Sequence, residues 1–111
     1  MDVSVVHHPG AVAEVAVAGR LNMVTSGALR EVIQGQIAEN HPRIAIDLSR
    51  VVFLDSSGLG ALIAGLKSAR QAGGDVRLVR PAEQAQLVLE LTNMNTVLQS
   101  FDSVSDAYPA A

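Results

Sequence analysis

The sequence predicts an α/β domain: a mixed β-sheet that opens with a hairpin and carries its helices mainly on one face. Three observations lead there. Val3 and Val5, then Val15 and Val17, lie two apart, the period of half-buried strands. From Thr25 the apolar period lengthens to that of a helix, and strand-like and helix-like segments alternate from there on. Apolar residues make up 49% of the chain but only 3% is aromatic, so the core has to be built from Val, Leu, Ile and Ala. At 111 residues the chain is expected to form one domain spanning 1–111.

Taken in order, residues 2–7 and 12–18 read as the hairpin, with His8-Pro9-Gly10 as its turn signal. Gly19 ends the second strand. Leu29, Val32, Ile33, Gln36 and Ile37 form the buried face of a first helix. Thr25 or Ser26 caps it, and Asn40-His41-Pro42 stops it. Ile44, Ile46 and Leu48 make a third strand, followed by the apolar run Val51-Val52-Phe53-Leu54. A second helix carries Leu59, Leu62, Ile63, Leu66 and Ala69 on one side and ends at Gly73-Gly74. Val76, Leu78 and Val79 give a fourth strand. Pro81 sits where a third helix can start, with Leu87, Val88 and Leu91 as its buried face. Val97 to Phe101 reads as a short last strand, Asp102 to Tyr108 as a short helix, and Pro109-Ala110-Ala111 as a frayed end. The predicted order is β-β-α-β-α-β-α-β-α.

Composition excludes several functions. Eleven acidic residues against eight basic ones give a formal charge of −3, with no basic surplus to neutralise nucleic-acid phosphates. The basic residues are scattered and form no patch for anionic lipid. With no cysteine, disulfides, thiol catalysis and Cys-based zinc sites are ruled out. Asp2 stands where a signal peptide would carry positive charge, and no stretch reaches the ~18–20 apolar residues of a membrane span. The expected location is the cytoplasm, with neither nucleic acid nor membrane as partner.

The informative stretch is Val52-Phe53-Leu54-Asp55-Ser56-Ser57-Gly58-Leu59-Gly60, where a buried strand hands over to a helix. Asp and Ser at such a place accept hydrogen bonds from the free amides of the first turn. Asp55 or Ser56 is therefore an N-cap, with Gly58 and Gly60 allowing close approach, and a cap alone is an ordinary structural feature. A hydroxyl there also tolerates an added phosphate, whose roughly −2 charge meets the positive end of the helix. The helix further carries small residues at Gly58, Ala61, Ala64, Gly65, Ser68 and Ala72. They are read as a place where a second chain docks at close range, although helix–sheet packing explains part of such a stripe.

Asp55-Ser56-Ser57-Gly58-Leu59-Gly60 resembles the phosphorylation motif of anti-sigma factor antagonists, which are stand-alone STAS domains. The surroundings resemble that family as well: the Gly19-Arg20-Leu21-Asn22 turn, the strand carrying Asp47-Leu48, Gly73-Gly74 before a strand, and Pro81 before a helix. The resemblance spans nearly the whole chain. It implies the STAS fold and a partner-switching cycle rather than catalysis. The unphosphorylated protein binds an anti-sigma factor that is also a serine kinase, so that the sigma factor is released. Phosphorylation of the serine after the Asp, here Ser56, ends that binding, and a PP2C-type phosphatase restores it. The docking surface implied comprises Arg20, Asn22, Met23, Asp55, Ser56, Ser57, Gly58, Gly60 and Ala61, on a monomer or weak dimer. One departure is Asn22, where family members often carry an acidic residue. The rival readings are a constitutive or transporter-associated STAS scaffold, and a small ligand-binding or hydrolytic domain.

Other chemistry is not expected. His7 and His8 are adjacent in a strand and point to opposite faces, and His41 precedes a proline, so no metal site is predicted. Gly58-x-Gly60 with Gly65 is not the dinucleotide fingerprint, and no phosphate-binding loop is present, so no cofactor is predicted. Ser56 lacks a nucleophile elbow and a general base, so no catalytic residue is assigned. Arg20, Arg70, Arg77 and Arg80 read as solvated face charges, Arg20 lying near Ser56. Met23 is read as a soft contact for a partner, and Met94 as packing or the edge of the docking surface.

Overall fold

The hairpin forms as β1 (Asp2–His8) and β2 (Val12–Leu21) in the computed structural model, which describes residues 1–109. Gly10 and Ala11 both take positive φ, +86° and +60°, as a tight turn between right-twisted strands requires. The chain continues through α1 (Ser26–Ala38), β3 (Arg43–Leu54), α2 (Ser56–Gln71), β4 (Asp75–Val79) and α3 (Glu83–Leu91). A 3₁₀ turn at Met94–Thr96, β5 (Ser100–Phe101) and α4 (Val104–Ala107) follow. The sheet order is β1-β2-β3-β4-β5; β1 runs antiparallel to β2, and the remaining neighbours are parallel. Residues 110 and 111 of the expected frayed end lie outside the described residues.

The main core lies between the sheet and the three longer helices. Val15, Val17, Ile44, Ile46, Leu48 and Leu78 meet Leu29 and Ile33 of α1, Leu62 and Leu66 of α2, and Ala85 and Leu89 of α3. The opposite face holds a smaller cluster, where Ala45 and Val79 pack with Ala107, Phe101, Val104 and Tyr108. Helices therefore cover mainly one face, as expected. No helix among the described residues is long and apolar enough to cross a membrane.

Several boundaries differ from the sequence reading, the first being β2, which runs on through Gly19 to Leu21. The buried face of α3 differs as well: Ala85 and Leu89 turn inward, while Leu87 and Leu91, expected inside, are 52% and 77% exposed. Pro81 does not open α3. The Ala82 amide donates to the Leu48 carbonyl at 3.3 Å and holds Ala82 in extended backbone, so the helix begins at Glu83. The expected strand from Val97 shrinks to two residues because the Val97 and Leu98 amides are taken by the Met94 carbonyl. The last helix shortens at both ends: Ser103 caps it by accepting from the Asp106 amide, and Tyr108 leaves it. The Tyr108 hydroxyl instead lies 3.0 Å from the Ile44 carbonyl and 2.8 Å from that of Asp75, tying the starts of β3 and β4 together.

β3 runs longer than expected, and its irregularity sets the end of the molecule at which Asp55 and Ser56 lie. Against β2 it carries two register shifts: Ala16 and Ala18 face Asp47 and Arg50, then Gly19 and Arg20 face Val51 and Phe53. Each shift adds a residue to β3 and resets which side points inward. The buried set becomes Ile44, Ile46, Leu48, Val51 and Leu54, while Val52 is 67% exposed. Unpaired by β4 at this end, Leu54 donates its amide to the side-chain carbonyl of Gln84 and accepts from its NH2, so one glutamine stands in for a neighbouring strand.

Of the arginines read as solvated face charges, three are paired. Arg70 and Arg77 each lie 3.2 Å from Asp75, and Arg80 lies 3.1 Å from Asp47. Partial burial works to raise the Asp47 carboxyl, but the Ser49 hydrogen bonds and Arg80 outweigh it and hold the pKa below the usual aspartate range. A carboxyl depressed in the folded state contributes stability that is present above its unfolded pKa and is lost as pH falls through the folded one. Urea denaturation is expected to show a smaller loss of midpoint below about pH 4 for Asp47→Asn than for the native chain. Parallel acid curves for the two would remove Asp47 from the account.

Candidate functional site

The carboxyl-terminal end of β3 brings together two segments distant in sequence, the turn after β2 and the start of α2. Asp55 joins them. With extended backbone (φ −109°, ψ −174°) it is the N-cap of α2, and its Oδ1 accepts from the Gly58 amide at 2.9 Å. Its Oδ2 accepts from the Met23 amide at 3.2 Å, and its own amide donates to the Leu21 carbonyl at 3.3 Å. Asp55, not Ser56, is therefore the cap. Ser56 is the first helical residue and is exposed; Ser57 is half-buried.

Asn22 organises the facing turn. Its Oδ1 accepts from the Val24 amide at 3.0 Å and the Thr25 amide at 3.3 Å, closing a turn of the Asx type. Thr25 supplies no cap to α1. Its hydroxyl donates to the Arg20 carbonyl at 2.8 Å and accepts from the Asn22 amide at 3.0 Å. Every one of the Asn22 side-chain contacts uses the oxygen, so an aspartate would fit the same turn. The turn holds up two apolar side chains, Met23 at 75% and Val24 at 86% exposure. Arg20 is exposed, with its guanidinium 4.4 Å from the centre of the Phe53 ring.

The two glycines of the motif differ. A Cβ on Gly58 would collide with the Leu21 carbonyl oxygen and stand 2.8 Å from Leu54 Cδ1 and 2.9 Å from Leu21 Cγ. On Gly60 it would meet only Arg30 Nη2 at 3.7 Å, an ordinary contact. Gly58 is thus buried packing and Gly60 lies on the accessible side.

Part of the expected docking surface is corrected on this ground. Ala61 is 0% exposed and Gly58 is buried, so neither is presented to a partner. Two residues of the small-residue stripe face α1 instead: Gly65 leaves room for Ile33, and Ser68 Oγ accepts from Gln34 Nε2 at 2.7 Å. Arg20, Asn22, Met23, Asp55, Ser56, Ser57 and Gly60 do come together at one end. Val24 and Arg30 belong to the same end and were not foreseen. The sequence signal for Val24 was its place beside Met23, two apolar residues in a row between Asn22 and Thr25.

At the other end of the sheet lies a cluster the sequence did not suggest. His7 and His41 stack with ring centroids 4.0 Å apart and planes 6° from parallel, with Glu39 alongside. Imidazole lone pairs lie in the ring plane, so two parallel rings cannot both aim at one ion as they stand. Met94 packs partly buried against the main core.

Fold and site together define a small mixed α/β module with a clasped turn and an exposed serine at a helix start. The model of the STAS domain matches residues 2–107, and the chain belongs to that family. The anti-sigma-F factor antagonist RsfB of Mycobacterium tuberculosis is 31% identical over 107 residues, covering 95% of this chain and 84% of that protein. A Thermotoga maritima relative is 36% identical over 69 residues, which is 62% of this chain and 61% of its own length. The crystal structure of an anti-sigma factor antagonist from Mycobacterium paratuberculosis superposes with a TM-score of 0.83 at 31% identity, covering 96% of this chain and 89% of that one.

Proposed function

We propose that this chain is an anti-sigma factor antagonist, a non-catalytic binding domain acting in the cytoplasm as a monomer or weak dimer. Unmodified, it binds an anti-sigma factor that is also a serine kinase, and the sigma factor is released. Phosphorylation of Ser56 by that kinase ends the binding, and a PP2C-type phosphatase renews it. The observation that carries this reading is the division of labour between Asp55 and Ser56. Asp55 holds the cap and the turn, leaving the exposed Ser56 hydroxyl accessible at no structural cost. It stands beside Met23 and Val24, whose exposure gives a partner apolar surface to bury. A phosphate dianion enclosed unpaired by a partner costs on the order of several kcal/mol, and each 1.4 kcal/mol is about tenfold in affinity. One modification is enough to reverse docking.

The test is capture from native extract by the native chain and by Ser56→Asp, with bound proteins identified by mass spectrometry. The expected result is a small ATP-binding, kinase-like protein on the native chain alone. Equal capture of a transport complex by both forms, or capture of nothing by either, would replace this reading with that of a constitutive scaffold.

A further inference from the structure

Arg30 is an exposed residue of α1 whose side chain reaches α2. It lies on the flank of α1 that faces α2, one turn before Gln34, whose amide reaches Ser68. Long side chains on a helix lean toward its N-terminus, and the Arg30 guanidinium crosses to the outer side of α2. There its Nη2 comes within 3.7 Å of where a Gly60 Cβ would be. It forms no ion pair among the described residues, whereas Arg70, Arg77 and Arg80 all do. Gly60 follows Ser56 by four residues, so the two share one face of α2 about one turn, or about 5.4 Å, apart. Ser56, Gly60, Ile63 and Lys67 continue along that face at three- and four-residue spacing.

We propose that Arg30 is the counter-cation of phosphorylated Ser56, and that Gly60 leaves open the gap through which the two meet. The inference rests on Ser56 being the phosphorylated residue. An arginine presents its N–H groups in a planar fork that matches two phosphate oxygens. Of the other charges nearby, none lies against Gly60. Asp55 is turned to the Gly58 and Met23 amides, Arg20 lies over Phe53, and Lys67 stands further along α2. Drawn up by the phosphate, the Arg30 side chain would also cover Gly60. Modification would then change the docking surface twice, by adding charge at Ser56 and by closing the gap below it.

The experiment installs phosphoserine at position 56 during synthesis, so that no kinase is needed, and follows the ³¹P shift against pH. A phosphoserine has its second pKa near about 6, and an opposite charge in contact lowers it. The expected result is a phosphate pKa lower in the native chain than in Arg30→Gln by about half a unit or more. Lys67→Gln, which removes the same charge from the same face, should move it much less. Gly60→Leu, which fills the gap, should reproduce the Arg30→Gln value. Equal pKa values for the native chain and Arg30→Gln, or an equal shift from Lys67→Gln, would overturn the role of Arg30. The reading of Ser56 itself fails separately, if the protein isolated from its own cells under inducing and non-inducing conditions never carries phosphate there.

Discussion

Gly58→Ala is expected to lower folding stability by about 1–3 kcal/mol or more, the cost of forcing a methyl into a filled site. The obstruction is partly backbone, because the Leu21 carbonyl oxygen lies in the way, with Leu54 Cδ1 and Leu21 Cγ closing the other sides. Side chains can rotate, but Leu21 is fixed where its carbonyl accepts from the Asp55 amide. Relief therefore requires α2 to move away from β2, opening contacts of Leu59 and Leu62 with the sheet. Gly60→Ala, two residues on, should have the opposite sign. Its methyl meets ordinary space, and alanine favours a helix over glycine by roughly 0.5–1 kcal/mol. Urea denaturation of both variants decides the matter. Similar midpoints would mean that α2 is not seated against Leu21 as described.

The second large effect is expected at Asp55. Asp55→Ala removes an N-cap, worth about 0.5–2 kcal/mol, and a second charge-assisted bond to the Met23 amide. A total loss of about 2–3 kcal/mol is expected, while Ser56→Ala should stay within about 0.5 kcal/mol because Ser56 is not the cap. Asn at position 55 keeps an acceptor for only one of the two amides and should fall between. Hydrogen exchange gives the sharper reading: in Asp55→Ala the amides of both Gly58 and Met23 should lose protection together. If Gly58 alone lost it, the turn would be held by Asn22 and Thr25 without help from Asp55.

How much of this was legible in the sequence differs by element. The alternating valines and the helical spacing of Leu29, Val32, Ile33 and Ile37 marked the hairpin and α1 because each has one buried face, and a single face leaves a periodic trace. The run Val51-Val52-Phe53-Leu54 left no such trace. Four apolar residues in a row say nothing about which two are buried, and the answer depends on register shifts against β2. The ends of α3 and β5 were misplaced because backbone amides were claimed by distant or preceding carbonyls, of Leu48 and Met94, and that competition is invisible to periodicity.

At the site, the sequence offered Asp55 or Ser56 as the cap, and only the hydrogen bond from the Gly58 amide decides for Asp55. Small residues at Gly58, Ala61 and Gly65 looked the same whether they met a partner or α1. Only the contacts decide that they pack within the domain, Gly58 on Leu21 of β2 and Gly65 on Ile33 of α1. Likewise, the joining of Met23 to Asp55 bridges 32 positions, beyond any local pattern.

The extra residues in β3 have a consequence for how this domain tolerates change in length. A strand turns its side chains over with every residue added or removed, so β3 acts as a counter whose final value determines where Asp55 and Ser56 point. Substitutions along its outer side leave the count intact. A one-residue deletion between Asp47 and Leu54 would exchange the inward and outward sets, turning Val52 toward the core and Leu54 out. It would also rotate the start of α2 away from the Met23 turn. Length variation should therefore accumulate in the hairpin turn and after α3, and be absent from this single strand.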